Sequence, residues 1–157
     1  MNTVRVPYGL ELGIGFKPCK LGGISSFCVL PSTAAKDFDA IKSTANYPTG
    51  AVLFAEKEDS RGVFVLCQGE VKLSISSTGG RTLVIRAANA GEILGLASAV
   101  AGTPYDITAE TVCPSQVAFV RREDFLRFLT KWPQAIQIVA RQMSEQYQSV
   151  LMAKTVA

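Results

Sequence analysis

Cysteine is the most reactive side chain in this sequence, and it occurs four times, at Cys19, Cys28, Cys67 and Cys113. No two of them form a Cys-x-x-Cys pair, and histidine is absent. The chain therefore lacks the usual general base and the commonest metal ligand. Catalysis would rest on Asp, Glu, Lys, Tyr or Cys, and no Gly-x-Ser-x-Gly, phosphate-loop or zinc spacing is present. No enzymatic activity and no metal site are expected. The other stretch with chemical potential reads Gly91-Glu92-Ile93-Leu94-Gly95-Leu96-Ala97-Ser98, a small-residue bridge, then Thr103-Pro104-Tyr105-Asp106-Ile107-Thr108-Ala109. A glycine-bounded apolar strand breaks into an Ala-rich segment, and a β-branched strand starts after Pro104. Such a break can turn backbone N–H groups toward an anion. It can equally be a loop that crosses the end of a sheet.

The elements that must position these residues follow from composition and periodicity. The 157 residues, 48% of them hydrophobic, suit one globular domain with a sizeable core. Sixteen basic and thirteen acidic residues leave a charge of +3, too little to argue for nucleic acid by itself. Apolar stretches are interrupted too often to span a membrane, and the N-terminus lacks a basic-then-apolar signal pattern. A cytoplasmic protein with reduced thiols, packed mostly as small hydrophobes, is the expectation.

Residues 1–32 are rich in Gly, Pro and Ser and hold no regular period, so an arm is expected there. Pro31-Ser32-Thr33 offers a helix start, with Ala34, Ala35, Phe38 and Ile41 at helical spacing over about 33–44. Tyr47-Pro48-Thr49-Gly50 is a turn. Beyond it come short strands: Ala51 to Phe54, Val63 to Cys67, the alternating Glu70 to Ser76, Arg81 to Arg86 after the Thr78-Gly79-Gly80 hairpin, Thr108 to Val112 and Ser115 to Val120. Strands of this length at intervals of about 8–12 residues point to an antiparallel barrel or jelly roll. Arg121-Arg122 leads into a short helix, and Trp132-Pro133 opens a long one over about 133–153. On it Ile136, Val139, Ala140, Met143, Tyr147 and Val150 share one stripe near coiled-coil spacing. That stripe either packs on the barrel or pairs with a second copy.

Several of these segments together carry a resemblance. Leu53-Phe54-Ala55-Glu56, then Val63-Phe64-Val65-Leu66-x-x-Gly69-Glu70-Val71-Lys72-Leu73, then Ala90-Gly91-Glu92-Ile93-Leu94-Gly95, resemble the effector domain of the Crp/Fnr regulators. That domain belongs to the cyclic-nucleotide-binding superfamily, and the likeness covers roughly residues 35–153. Arg122-Glu123-Asp124-Phe125 and Trp132-Pro133 resemble the family's approach to its dimer helix. The resemblance implies a mainly β fold with flanking helices, a double-stranded β-roll of jelly-roll type, ending in a long dimerisation helix. The expected organisation is an arm at 1–32, a sensor roll at 33–132 and a dimerisation helix at 133–157.

In the nucleotide binders of this family, the stretch around Gly95 is a phosphate cassette. A Glu after the glycine takes the ribose, and an Arg before Ser/Thr-Ala takes the cyclic phosphate. Here Leu96 follows Gly95, and Ile107 precedes Thr108-Ala109. A one-residue shift brings Asp106 to the Arg position, where it would repel phosphate. A hydrogen bond to a charged group contributes about 1.5–3 kcal/mol. Loss of both contacts therefore weakens binding by roughly a few hundredfold or more. Cyclic nucleotide is thus not expected as the ligand. Leu96 and Ile107 fill the pocket, or a less charged effector uses a smaller one. Gly95, Leu96, Ala97, Ser98, Ile107 and Thr108 are the expected pocket residues, with Val150 and Leu151 as lids from the last helix.

Some family members bind an iron–sulfur cluster through N-terminal cysteines. Ile24-Ser25-Ser26-Phe27-Cys28 resembles that region, but a close third cysteine is absent and the barrel position falls at Ala118. A cluster, which needs four ligands, is not expected. Cys19 and Cys28 are the candidates for a redox role, and Cys67 reads as a core thiol. The family's helix-turn-helix is not found before the chain ends at Ala157, so no direct DNA binding is expected of these residues alone. The expectation is a homodimeric sensor domain with a small-molecule effector and no membrane partner. The alternatives are a ligand-free interaction module and a thiol redox sensor.

Overall fold

The structure, a computed structural model, describes residues 30–156. Residues 1–29, most of the stretch 1–32 expected to be an arm and including Cys19 and Cys28, lie outside them, as does the side chain of Val150. The elements are α1 (Ser32–Ile41), β1 (Lys42–Tyr47), β2 (Val52–Phe54), β3 (Gly62–Gln68), β4 (Glu70–Ser76), β5 (Thr82–Asn89), β6 (Ile93–Leu94), α2 (Leu96–Ala101), β7 (Thr108–Thr111), β8 (Ser115–Arg121), α3 (Arg122–Lys131) and α4 (Gln134–Val156).

Two four-stranded antiparallel sheets carry the fold, in the orders β1-β8-β3-β6 and β2-β7-β4-β5. The mainly β roll with flanking helices and a long last helix is as the sequence pattern implies. β3 shows why. Side chains alternate across a strand, so Val63 and Val65 enter a core beneath the helices, while Phe64 and Leu66 enter the core between the sheets. Both faces of this strand are covered, and it therefore reads as an unbroken apolar run. The neighbouring β8 does the same, with Ala118 and Val120 on one side and Val117 on the other. β4 keeps one face wet: Val71 and Leu73 are buried, and Lys72 reaches across to Glu110 at 3.1 Å.

One boundary differs from the sequence expectation. The first helix ends at Ile41, and Lys42–Tyr47 forms β1 on the edge of the first sheet, paired from Lys42↔Val120 to Tyr47↔Ser115. Lys42-Ser43-Thr44-Ala45 has no strand-like alternation of its own, so the pairing with β8 decides its conformation. The helical layer is pinned by Phe38 edge-on to Phe128 at 5.2 Å and by Asp37, whose carboxylate accepts from Trp132 Nε1 and Lys131 Nζ, each at 2.8 Å. Among the described residues, no helix is long and apolar enough to cross a membrane.

Candidate functional site

The Gly91–Ala109 stretch folds as a strand, a one-and-a-half-turn helix and a second strand, and each joint has a local cause. Gly95 starts α2 at φ +81°, in the left-handed region that glycine tolerates best. A Cβ there would also meet Tyr105 Cε1 at 3.1 Å. Tyr105 is the post of the site. It is buried, its ring stacks on Phe54 at 4.3 Å, and its hydroxyl donates to Gly62 O at 2.9 Å. The same oxygen accepts from the N–H groups of Arg61 and Gly62, so the whole polar end is satisfied. At the other end of α2, Arg122 Nε donates to Ala99 O at 2.7 Å and meets one of the carbonyls that a helix end leaves open.

These joints hold open a cavity of about 740 Å³ between the roll and α4. Gly95, Leu96, Ala97 and Ile107 all line it. Phe54, Leu73, Ile75, Ile85 and Leu94 extend an apolar wall from β2, β4, β5 and β6. Met143, Ser144, Gln146 and Tyr147 close it from α4. Three further residues expected in the pocket are placed elsewhere. Ser98 is buried and donates to Pro104 O at 3.1 Å, closing the loop after α2 rather than facing a ligand. Thr108 Oγ1 accepts the Glu56 N–H at 3.0 Å, so it ties β7 to the end of β2. Leu151 is exposed and lies outside the cavity wall, which ends one turn earlier on α4.

Two of the cavity's charges, Glu56 and Arg86, come from positions that sequence reasoning did not place in the pocket, and the third is Asp106, the residue that a one-residue shift brings to the cassette Arg position. Among the described residues of the wall, Arg86 on β5 is the one basic side chain, and Glu92 grips its guanidinium bidentately at 3.0 and 2.7 Å. Glu92 also accepts the Asn89 N–H and is thereby fixed. The sequence shows only a basic Arg86 six residues before the acidic Glu92, and strict alternation puts Arg86 on the face opposite Ile85; the register shift between β4 and β5 at Leu73/Ser74 brings both to the cavity wall. Only the β5–β6 turn shows that the Arg86 and Glu92 side chains meet. A cyclic phosphate needs an unpaired cation or converging donors, and the described wall presents Leu96, Ile107 and a neutralised Arg86 instead.

α4 is fastened beside the cavity. Gln142 Oε1 accepts the Ile93 N–H at 2.9 Å, and Gln146 Nε2 donates to Ile93 O at 2.8 Å. The backbone N–H and C=O of Ile93 are thus both met by side chains one helical turn apart on α4. Ala135 and Val139 of the same helix are buried in the core beneath it, Val139 at 3% exposure. Val139 therefore belongs to the roll and not to the outward stripe in which it was expected. Ile136 and Ala140 face outward, while half-buried Met143 and the largely exposed Tyr147 sit where that stripe meets the cavity rim. A smaller polar cleft of about 420 Å³ lies across the fastening from the cavity, between α4 and the β5–β6 turn. Of the cysteines, Cys67 is disulfide-bonded rather than a reduced core thiol, and Cys113 is free and half-buried. No cluster of three or more metal-ligating side chains occurs among the described residues.

The family model of the cyclic nucleotide-binding domain matches residues 44–131. The transcriptional activatory protein AadR of Rhodopseudomonas palustris is 27% identical over 118 residues, which is 75% of this chain and 48% of that protein. The catabolite activator protein of Thermus thermophilus superposes with a TM-score of 0.73 at 18% identity, over 83% of this chain and 62% of that one. The sensor domain of the transcriptional regulator DNR from Pseudomonas aeruginosa superposes with a TM-score of 0.67 at 24% identity, over 83% of this chain and 88% of that one. The chain thus spans about half the length of the curated relative it matches. With the family model covering more than half of its length, this chain belongs to the cyclic nucleotide-binding domain family and is related within it to the Crp/Fnr-type transcription regulators.

Proposed function

We propose that this chain is a signal-sensing domain of a Crp/Fnr-type regulator that dimerises through α4, and that its cavity does not take a cyclic nucleotide through the family's charged contacts. The observation that carries this reading is the wall of the cavity. Leu96 and Ile107 stand at the two cassette positions, and the single arginine in the wall is already held by Glu92. The ligand-free alternative is weighed down by the cavity itself, about 740 Å³ with a mostly apolar lining, which is the size and character of a small-molecule site.

Signalling follows from position. Met143 and Tyr147 line the cavity from the helix whose outer face carries the expected dimer stripe. An effector that contacts them differently in two helix arrangements shifts the population between those arrangements. In a longer regulator, that shift would move whatever follows α4. Thermal unfolding against cyclic AMP and cyclic GMP at millimolar concentration tests the cassette reading. A nucleotide at one hundred times its Kd adds about 2.7 kcal/mol, so binding would raise the Tm by several degrees. No shift is expected, and a clear saturable one overturns the reading.

A further inference from the structure

The electrostatics of the same cavity name the class of molecule it accepts, an argument that rests on the sensing reading above. Glu56 and Asp106 reach the wall from adjacent backbone. The Glu56 N–H is bound by Thr108 Oγ1, and the next N–H, of Lys57, donates to Tyr105 O at 2.8 Å. Both carboxylates therefore stand at the α2–β7 end of the cavity. Glu56 uses one oxygen to accept the Ser76 N–H at 2.7 Å, which fixes the side chain against β4. At the other end, Arg86 is matched by Glu92. Two carboxylates against one guanidinium already neutralised leave a net of two negative charges around an apolar interior.

An anion entering this cavity gives up water against its apolar wall and meets two carboxylates of its own sign, half-buried Glu56 and exposed Asp106. A neutral apolar molecule meets no such cost and gains the burial of its surface. We infer that the cavity binds an apolar small molecule without an anionic group, and that the Arg86–Glu92 pair and the two carboxylates make it reject anions. The pair also acts as a lock on the one cation that could reverse the preference. Glu92→Gln keeps the size and one acceptor but removes the neutralising charge.

Two dyes that share one skeleton read this directly. N-phenyl-1-naphthylamine is neutral, and 8-anilino-1-naphthalenesulfonate is the same molecule with a sulfonate. Fluorescence titrations of the purified chain at low salt are expected to give a Kd at least tenfold lower for the neutral dye. Ala97 is exposed at the cavity wall, so Ala97→Trp fills the space with little demand on the core, and it is expected to abolish neutral-dye binding while circular dichroism stays unchanged. In Glu92→Gln the sulfonate dye is expected to gain at least threefold and the neutral dye to stay level. Equal or tighter binding of the sulfonate dye by the wild-type chain overturns the inference. So does neutral-dye binding that survives in Ala97→Trp, or a sulfonate affinity that Glu92→Gln leaves unmoved. Cyclic AMP serves as the third arm. Displacement of the neutral dye by it defeats the cassette reading, whereas equal dye affinities with cyclic AMP inert defeat the charge argument alone.

Discussion

Asp37 joins three elements through one carboxylate, and its chemistry makes the joint sensitive to acid. The Lys131 Nζ and Trp132 Nε1 donors beside it hold its pKa below the ordinary carboxylate value, with the lysine's hydrogen bond first and the tryptophan's second. A carboxylate with a lowered folded pKa contributes stability that is complete above the unfolded value of about 3.9. That contribution disappears as pH falls through the lower folded value. Asp37→Asn removes the charge at every pH. Its urea midpoint is expected to lie below wild type at pH 6, with the gap closing as the pH drops toward 3. Trp132, the single tryptophan, reports the transition by fluorescence. A gap that does not shrink with acid would show that the ion pair is not its source. At this scale the sequence was a fair guide to the wall of the cavity. Leu96 and Ile107 were legible because a cassette has fixed spacing. Ser98 and Thr108 were not, since a hydroxyl that closes a loop looks the same in sequence as one that faces a ligand.

The helix–strand fastening by Gln142 and Gln146 belongs to the scale of elements. Both backbone polar groups of Ile93 are met by α4 side chains, so β6 and the start of α2 cannot part from α4 without exposing them. Gln142 is 8% exposed, and Gln142→Ala leaves the Ile93 N–H buried without that acceptor. An orphaned buried donor costs about 1–3 kcal/mol, which is the loss expected in urea unfolding. Hydrogen exchange at the Ile93 amide is expected to accelerate more than at Val65, its partner in β3. Uniform acceleration across the sheet would mean a general loss of stability and no local fastening. This device was not legible from the chain alone. Glutamines four apart on a helix read as solvent-facing, and only their place over the β6 edge turns them inward. β1 was missed for the related reason that its partner strand lies over 60 residues away. β4 and α3 were legible because their own periodicities of 2 and 3.6 match the faces they bury, and β3 because a strand covered on both faces reads as a short unbroken apolar run.

The outer face of α4 concerns the whole molecule. Helix α4 has 23 residues, about 35 Å at 1.5 Å per residue, and the roll covers only one side of it. Ala135, Val139 and Gln142 point to the roll, Met143 and Tyr147 border the cavity with Tyr147 still 65% exposed, and Ile136, at 49% exposure, points away. Ile136, Ala140, Met143 and Tyr147 recur at spacings of four, three and four, and Val150 continues the series in sequence. That is the repeat of a two-stranded seam, in which each knob enters a hole on a facing helix. Removing Val139 from the stripe sharpens it, since the remaining positions fall on one line instead of two. The partner that satisfies a self-complementary seam is a second copy related by a two-fold axis. Sedimentation of the purified chain at tens of micromolar is expected to show a dimer. Ile136→Glu combined with Ala140→Glu places like charges across the axis without touching the cavity wall, and is expected to give a monomer that still binds the neutral dye. A monomeric wild-type chain would remove the seam from the mechanism. A charged variant that stays dimeric would place the contact on another face.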